Sequence, residues 1–258
     1  MTDARAQDEL LRTEALCKSF GGVIATDHLD LGVRRGETHA VIGPNGAGKT
    51  TLIAQLSGEL KPSSGRIHFD GRDITALPAH GRVHIGIARS FQITSLLRSF
   101  TVAENVQVAL RPRRGHSFIF FRDAAADAEL NERAQTLLAE VGLAERAQVL
   151  AAELAHGEQR QLELAMALAS APRLLLLDEP MAGVGHEDTA RMIELLLRIK
   201  RDRTMLLIEH DMDAVFRIAD RITVLVAGRA IASGDPATIR GDLEVRRAYL
   251  GDEAGLTP

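Results

Sequence analysis

The residues best placed to do chemistry are Gly43, Pro44, Asn45, Gly46, Ala47, Gly48, Lys49, Thr50 and Thr51, which fit the spacing G-x-x-x-x-G-K-[ST] of a phosphate-binding loop. Glycines at 43, 46 and 48 let the backbone curl so that successive N–H groups point at one anion. Lys49 has the reach for the β- and γ-phosphates of a nucleotide, and the Thr50 hydroxyl is suited to a Mg²⁺ shell. A second set stands at Asp178-Glu179-Pro180, directly after four leucines. Two acids at the end of an apolar strand, downstream of a phosphate loop, suit a Mg²⁺ ligand followed by a second carboxylate. A third candidate is His210, in Glu209-His210-Asp211.

The elements that must position these groups are legible around them. Thr38-His-Ala-Val-Ile42 reads as a short core strand, and 51–56 as the opening of an amphipathic helix. That helix N-terminus adds its positive dipole end to the loop. Residues 173–177 and 204–208 read as buried strands, the second parallel to the other two. Asp178 and His210 would then emerge where ligands gather, at the carboxyl edge of an open parallel sheet. Segments 11–16 and 28–33 alternate as strands around Gly21-Gly22. Phe20 sits just before that pair, either as ordinary core packing or as a ring that stacks on a nucleotide base. Residues 66–70 and 85–91 read as further strands, the latter placing Gln92 at the start of a loop. Thr101-Val-Ala-Glu104 is a capping box that opens a helix. Residues 123–141 form a longer helix that Gly142 ends, and no strand is evident from Gln92 to about 155. Another helix follows Leu154-Ala-His-Gly-Glu-Gln-Arg160, with Leu162, Ala165, Met166 and Ala169 on one face. A helix over 213–219, strands over 222–226 and 229–232, a helix after Asp235-Pro236 and a last one over 243–250 complete the chain.

The 258 residues are 45% hydrophobic, enough for a full core. Thirty-one basic and 35 acidic side chains leave a formal net charge of −4, which argues against bulk nucleic-acid binding. Cys17 stands alone, so no disulfide framework or thiolate cluster is expected, and the plain reading is a small buried apolar residue. The first twelve residues lack a signal-peptide core, and the longest uncharged run, 38–48, is too short to span a bilayer. The expectation is a soluble, intracellular protein.

These residues together resemble one family over nearly the whole chain. The chain is similar to the ATP-binding subunits of ABC transporters. The phosphate loop matches the family's Walker A, Gln92 its Q-loop glutamine, 154–160 its signature, 174–179 its Walker B and His210 its switch histidine. Phe20 falls at its adenine-stacking aromatic. The resemblance implies an α/β fold: a P-loop NTPase core with an antiparallel β subdomain, in one domain over 1–258, with a helical subdomain inserted at 93–156. It implies ATP and Mg²⁺ as cofactors, with Thr50, Gln92 and Asp178 at the metal. Glu179 would be the base, with Gln92, His210 and Lys49 as the other catalytic groups. Leu154, Ala155, His156, Gly157 and Glu158 would complete the site of an opposite subunit, so that ATP is sandwiched between two chains. Phe20-Gly-Gly, Arg89-Ser-Phe-Gln-Ile-Thr, Ile208-Glu-His-Asp-Met and Ala248-Tyr-Leu-Gly251 narrow the resemblance to the larger-insert ATPase of branched-chain amino acid importers and its urea and amide relatives. The implied setting is cytoplasmic, peripheral on the inner face of the cell membrane. The implied partners are permease subunits, a second ATPase subunit and, indirectly, an extracytoplasmic solute-binding protein, with no nucleic acid.

Two departures stand out: Ala155 where most signatures have serine, and Gly185 where an acidic or amide residue is usual. Other readings are the lipopolysaccharide-export ATPase, a soluble non-transport ABC factor, and a small-molecule kinase. The soluble factor is disfavoured because the insert shows no sustained heptads. The kinase is disfavoured by the signature and by Glu179 after Asp178. One segment stands apart, 111–122, with four arginines and three phenylalanines in twelve residues. It reads either as a loop folded onto the insert's own core or as a docking element toward the permease and anionic headgroups.

Overall fold

The computed structural model describes residues 8–90, 96–111 and 128–250. In chain order the elements are β1 (Glu9–Phe20), β2 (Val23–Arg34), β3 (Thr38–Ile42), α1 (Lys49–Ser57), β4 (Ser64–Phe69), β5 (Arg72–Asp73), α2 (Ala79–His84), β6 (Ile87–Arg89), α3 (Val102–Leu110) and α4 (Ala128–Val141). They continue with α5 (His156–Ala169), β7 (Leu174–Asp178), α6 (His186–Ile199), β8 (Thr204–Ile208), α7 (Met212–Ile218), β9 (Arg221–Val226), β10 (Arg229–Gly234), α8 (Pro236–Gly241) and α9 (Leu243–Leu250).

Two sheets result. One is antiparallel, in the order β2-β1-β4-β5; the other runs β10-β9-β3-β8-β7-β6 and is parallel except for β10. The central strands β3, β7 and β8 are buried at every position, because helices or the second sheet cover both faces. Their continuous apolar runs are what such strands require. Helix α1 carries Leu52, Ile53 and Leu56 into a core shared with Leu11, Leu16 and Leu31 of the antiparallel sheet and Leu176 and Leu206 of the parallel one. At about 1.5–3 kcal/mol per buried side chain, those three residues anchor the phosphate-loop helix to both sheets. A second core joins α3, α4, α5 and α6 to the other face, through Val106, Leu138, Leu162 and Leu196 among others.

Arg82 fixes the far end of α1. It is buried and donates to the carbonyls of Gln55 and Leu56 in the last turn of α1, and to those of Ile74, Thr75 and Leu77. Burial lowers its pKa to about 10, so it stays charged at neutral pH, where a cation suits a helix C-terminus.

The strand expected over 85–91 is corrected. Residues up to His84 form α2, Gly86 takes φ +100°, and only Ile87–Arg89 pair, as the edge of the parallel sheet. Residue 91 lies outside the described residues. The Thr101–Glu104 capping box is present with both reciprocal hydrogen bonds. Of the helix expected over 123–141, the described part begins at Ala128. Between 96 and 155 the described residues contain helices and one isolated bridge, Thr101 to Leu150. Of the segment 111–122, only Arg111 is among the described residues. No helix among the described residues is long and apolar enough to cross a membrane.

Candidate functional site

Strand register sets the site. Val41 pairs with Ile208, and Asp178 also pairs with Ile208, so β3, β8 and β7 end level with one another. The phosphate loop, Asp178-Glu179 and Glu209-His210 therefore leave adjacent strands at one edge. The loop is pressed against neighbouring backbone. A Cβ at Gly43 would lie 2.1 Å from the Leu225 carbonyl oxygen, and one at Gly48 would lie 2.0 Å from that of Ala25. Glycine is required at both positions. Helix α1 begins with no side-chain cap and no acidic residue in its first turn, which leaves its N–H groups open to an anion.

Lys49 is only 8% exposed, and its Nζ donates to Gly43 O at 2.7 Å and Pro44 O at 3.1 Å. Burial lowers its pKa, against the opposing pull of Glu179 and Asp178. Asn45, Gly46 and Thr50 are exposed on the loop surface, and Ala47 packs inward.

Asp178 is 2% exposed. Its Oδ2 accepts from Arg89 Nη2 at 2.8 Å, and Arg89 turns its other nitrogen to the exposed Glu59. Its Oδ1 is buried with no hydrogen-bond partner among the described residues. A buried carboxylate oxygen left open beside a phosphate loop fits a hard divalent cation. Glu179 follows at φ +48°, an uncommon backbone for glutamate, with its N–H bonded to Ile208 O at 2.9 Å.

Sequence reasoning did not single out two charged residues here, one largely and one fully buried. Arg89 is the first; its signal is an arginine inside the apolar Ile-Ala-Arg strand. Glu209 is the second. Fully buried, it accepts N–H bonds from Met181, His210 and Asp211, so it ties the loop after β7 to the loop after β8. Burial raises its pKa, against those three donors. His210 stands exposed at the strand end, its Nδ1 3.7 Å from Glu209 Oε2.

Phe20 is 50% exposed at the tip of the β1–β2 hairpin, with Lys18 Nζ 5.2 Å from its ring centre, so ordinary core packing is not its role. Leu154 is buried, and Ala155 is the N-cap of α5. The Glu158 carboxylate accepts the Ala155 N–H at 2.9 Å; the reciprocal hydroxyl is what alanine lacks. His156 is exposed, and Gly157 is packed so that a Cβ would meet the Asp188 carboxyl at 2.7 Å. Gln92 lies outside the described residues; the segment leading to it runs beside β7, with Ser90 N–H on Leu176 O at 2.9 Å. Cys17 is half-buried rather than buried.

Residues 26–182 match the family described as ABC transporter. The chain belongs to the ABC transporter family. Residues 231–255 match a second description, branched-chain amino acid ATP-binding cassette transporter. The chain is 40% identical over 250 residues to the high-affinity branched-chain amino acid transport ATP-binding protein LivG of Salmonella typhimurium, covering 94% of this chain and 98% of that one. It is 38% identical to BraF of Pseudomonas aeruginosa, with the same coverage. Among solved structures it is similar to a nucleotide-free ATP-binding cassette from an ABC transporter, with a TM-score of 0.83 and 31% identity, covering 93% of this chain and 98% of that one. The family accounts for the P-loop core and the antiparallel sheet, and makes ATP the nucleotide.

Proposed function

We propose that the chain is the ATP-hydrolysing subunit of a membrane importer for branched-chain amino acids. The observation that carries the chemistry is the shared sheet edge, where Lys49, the open oxygen of Asp178 and Glu179 lie beside one phosphate loop. The solute class rests on the named roles of the LivG and BraF relatives and on the match over 231–255.

In this reading the amides of 43–51 cradle the phosphates, and Lys49 exchanges its two loop carbonyls for phosphate oxygens. Thr50, Asp178 and Gln92 hold Mg²⁺, which when bound supplies charge neutralisation at the phosphates. Glu179 orients the attacking water and accepts its proton, and His210 supports charge at the γ-phosphate. Phe20 stacks on the adenine ring. Leu154, Ala155, His156, Gly157 and Glu158 complete the site of a second ATPase chain, with the open N–H groups of α5 holding the anion that a serine would otherwise share. The chain works as one ATPase domain. Its helical segment, 93–156, faces the permease on the inner side of the membrane, and a solute-binding protein acts outside.

Reconstitution tests the whole reading. Proteoliposomes holding the chain with its permease and a second ATPase subunit should take up radiolabelled leucine when supplied with binding protein and ATP. ATP hydrolysis that the binding protein stimulates without leucine, isoleucine or valine uptake would overturn the solute assignment.

A further inference from the structure

The pairing of β1 with β2 slips by one residue at a place the ATPase chemistry does not use. Leu16 pairs with Leu29 and Lys18 with Thr26, so Cys17 alone faces both Asp27 and His28. This is a β-bulge, a device that re-aims side chains. His28 takes φ +48° to make it, a backbone that disfavours side chains and recurs at sites with a function. The consequence is chemical. One atom each from the Cys17 thiol, the Asp27 carboxylate and the His28 ring lie within 4.8 Å of one another.

The three groups already interact as a ligand set would. His28 Nδ1 and Asp27 Oδ1 are 2.7 Å apart, sharing a proton where a metal would sit. Arg229 holds the other carboxylate oxygen, at 2.6 Å from Nη2 and 2.7 Å from Nε, which leaves Oδ1 directed at the cluster. The His28 N–H donates to Cys17 Sγ at 3.2 Å. Carboxylates and sulfurs that ligate metals are commonly oriented by such outer hydrogen bonds. The cluster is accessible, because the His28 ring is exposed and Cys17 is half-buried.

We propose that Cys17, Asp27 and His28 form a site for a borderline-soft divalent cation, Zn²⁺ in the first instance, with water as the fourth ligand. Thiolate, imidazole and carboxylate are zinc ligands, whereas Mg²⁺ demands an octahedral oxygen shell, so this site and the nucleotide site select different ions. Binding releases the thiol proton to solvent, while the His28 ring stays a neutral imidazole with its N–H moved to Nε2.

The site is wired to the phosphate loop. Gln55 of α1 donates to Cys17 O at 3.3 Å and accepts from the Thr26 hydroxyl at 3.0 Å. The Asp27 N–H bonds to Gly228 O, and the Gly228 N–H bonds to Ala47 O, both at 2.9 Å. A metal that closes the bulge thereby stiffens the segment on which the loop and its helix rest.

The test titrates the reduced full chain with Co²⁺, without nucleotide, and then displaces it with Zn²⁺. One equivalent of Co²⁺ should give a thiolate-to-cobalt charge-transfer band that Zn²⁺ abolishes and excess Mg²⁺ does not. Cys17→Ser should remove the band, and Asp27→Asn and His28→Asn should each weaken Zn²⁺ binding about tenfold or more. His28→Asn sits on an exposed side chain at a backbone angle asparagine tolerates, so it keeps the test valid if the other variants fold poorly. Zn²⁺ at a hundredfold excess over its Kd should raise the unfolding midpoint by about 5 °C in the wild type and not in His28→Asn. Absence of the band, or Zn²⁺ binding to Cys17→Ser or His28→Asn as tightly as to the wild type, would show that the trio is only the ion pair of a bulged hairpin.

Discussion

Replacing Arg89 by methionine, close in volume and without charge, isolates what the arginine does for Asp178. The carboxylate is 2% exposed and Arg89 is its ion-pair partner, while Oδ1 is already without a partner among the described residues. Removing one side of a buried pair costs about 3–5 kcal/mol, because the other charge stays buried and uncompensated. The contact with Glu59, half-exposed, adds little. For a chain of this size the nucleotide-free unfolding midpoint should therefore fall by roughly 10 °C. If Arg89 stands in for the cation, Mg-nucleotide should recover much of that loss, since the metal brings the missing charge. Recovery of about 1.4 kcal/mol corresponds to Mg²⁺ binding about tenfold tighter in the variant. Thermal unfolding with and without Mg-ADP, for both proteins, reads the coupling directly. An equal deficit in both conditions would refute the reasoning and leave Arg89 a purely structural residue.

Arg82→Met should strip five carbonyls of their donor and cost about 3–5 kcal/mol, lowering the midpoint in denaturant and loosening α1 in hydrogen exchange. A loss under about 1 kcal/mol would mean that water replaces the guanidinium. Asp70 governs part of the acid limb: Arg173 first, then Arg35, lower its pKa from 3.8 to about 2. A depressed carboxylate contributes stability that is present above its unfolded pKa and lost as pH falls through the folded one. The advantage of the wild type over Asp70→Asn should thus hold at neutral pH and vanish between about pH 4 and pH 2 in thermal unfolding; parallel curves would refute it. Gly48→Ala should displace the phosphate loop, because its Cβ would sit 2.0 Å from Ala25 O, and should weaken ATP binding about tenfold or more in equilibrium titration.

The elements that carry the site were legible because their chemistry is local. Buried parallel strands need unbroken apolar runs, and β3, β7 and β8 show them. The capping box at Thr101 spans only four residues and formed as read. The helix α6 was not read from the sequence, although its stripe at Met192, Leu195, Leu196 and Ile199 is of the same local kind. What was not legible depends on partners distant in the chain. Charged side chains are ordinarily exposed, so nothing near Arg82 or Glu209 announces that each is buried against groups tens of residues away. The edge strand β6 was legible, but not its bounds: only three residues pair beside Gly86, too few for a pattern to fix the ends. Cys17, Asp27 and His28 meet through a one-residue slip in register, which alternation along either strand alone does not reveal.

The most direct test of the central claim is the Mg-ATPase turnover of Glu179→Gln measured beside its ATP affinity. The amide keeps the size of the carboxylate but cannot accept a proton from water. ATP affinity should stay within about threefold of the wild type while turnover falls by a factor on the order of 10² or more. Lys49→Ala, in contrast, should lose binding itself, since its Nζ sits against the loop that holds the phosphates. Near-wild-type turnover in Glu179→Gln would contradict the account, because the base would then lie elsewhere than at the end of β7.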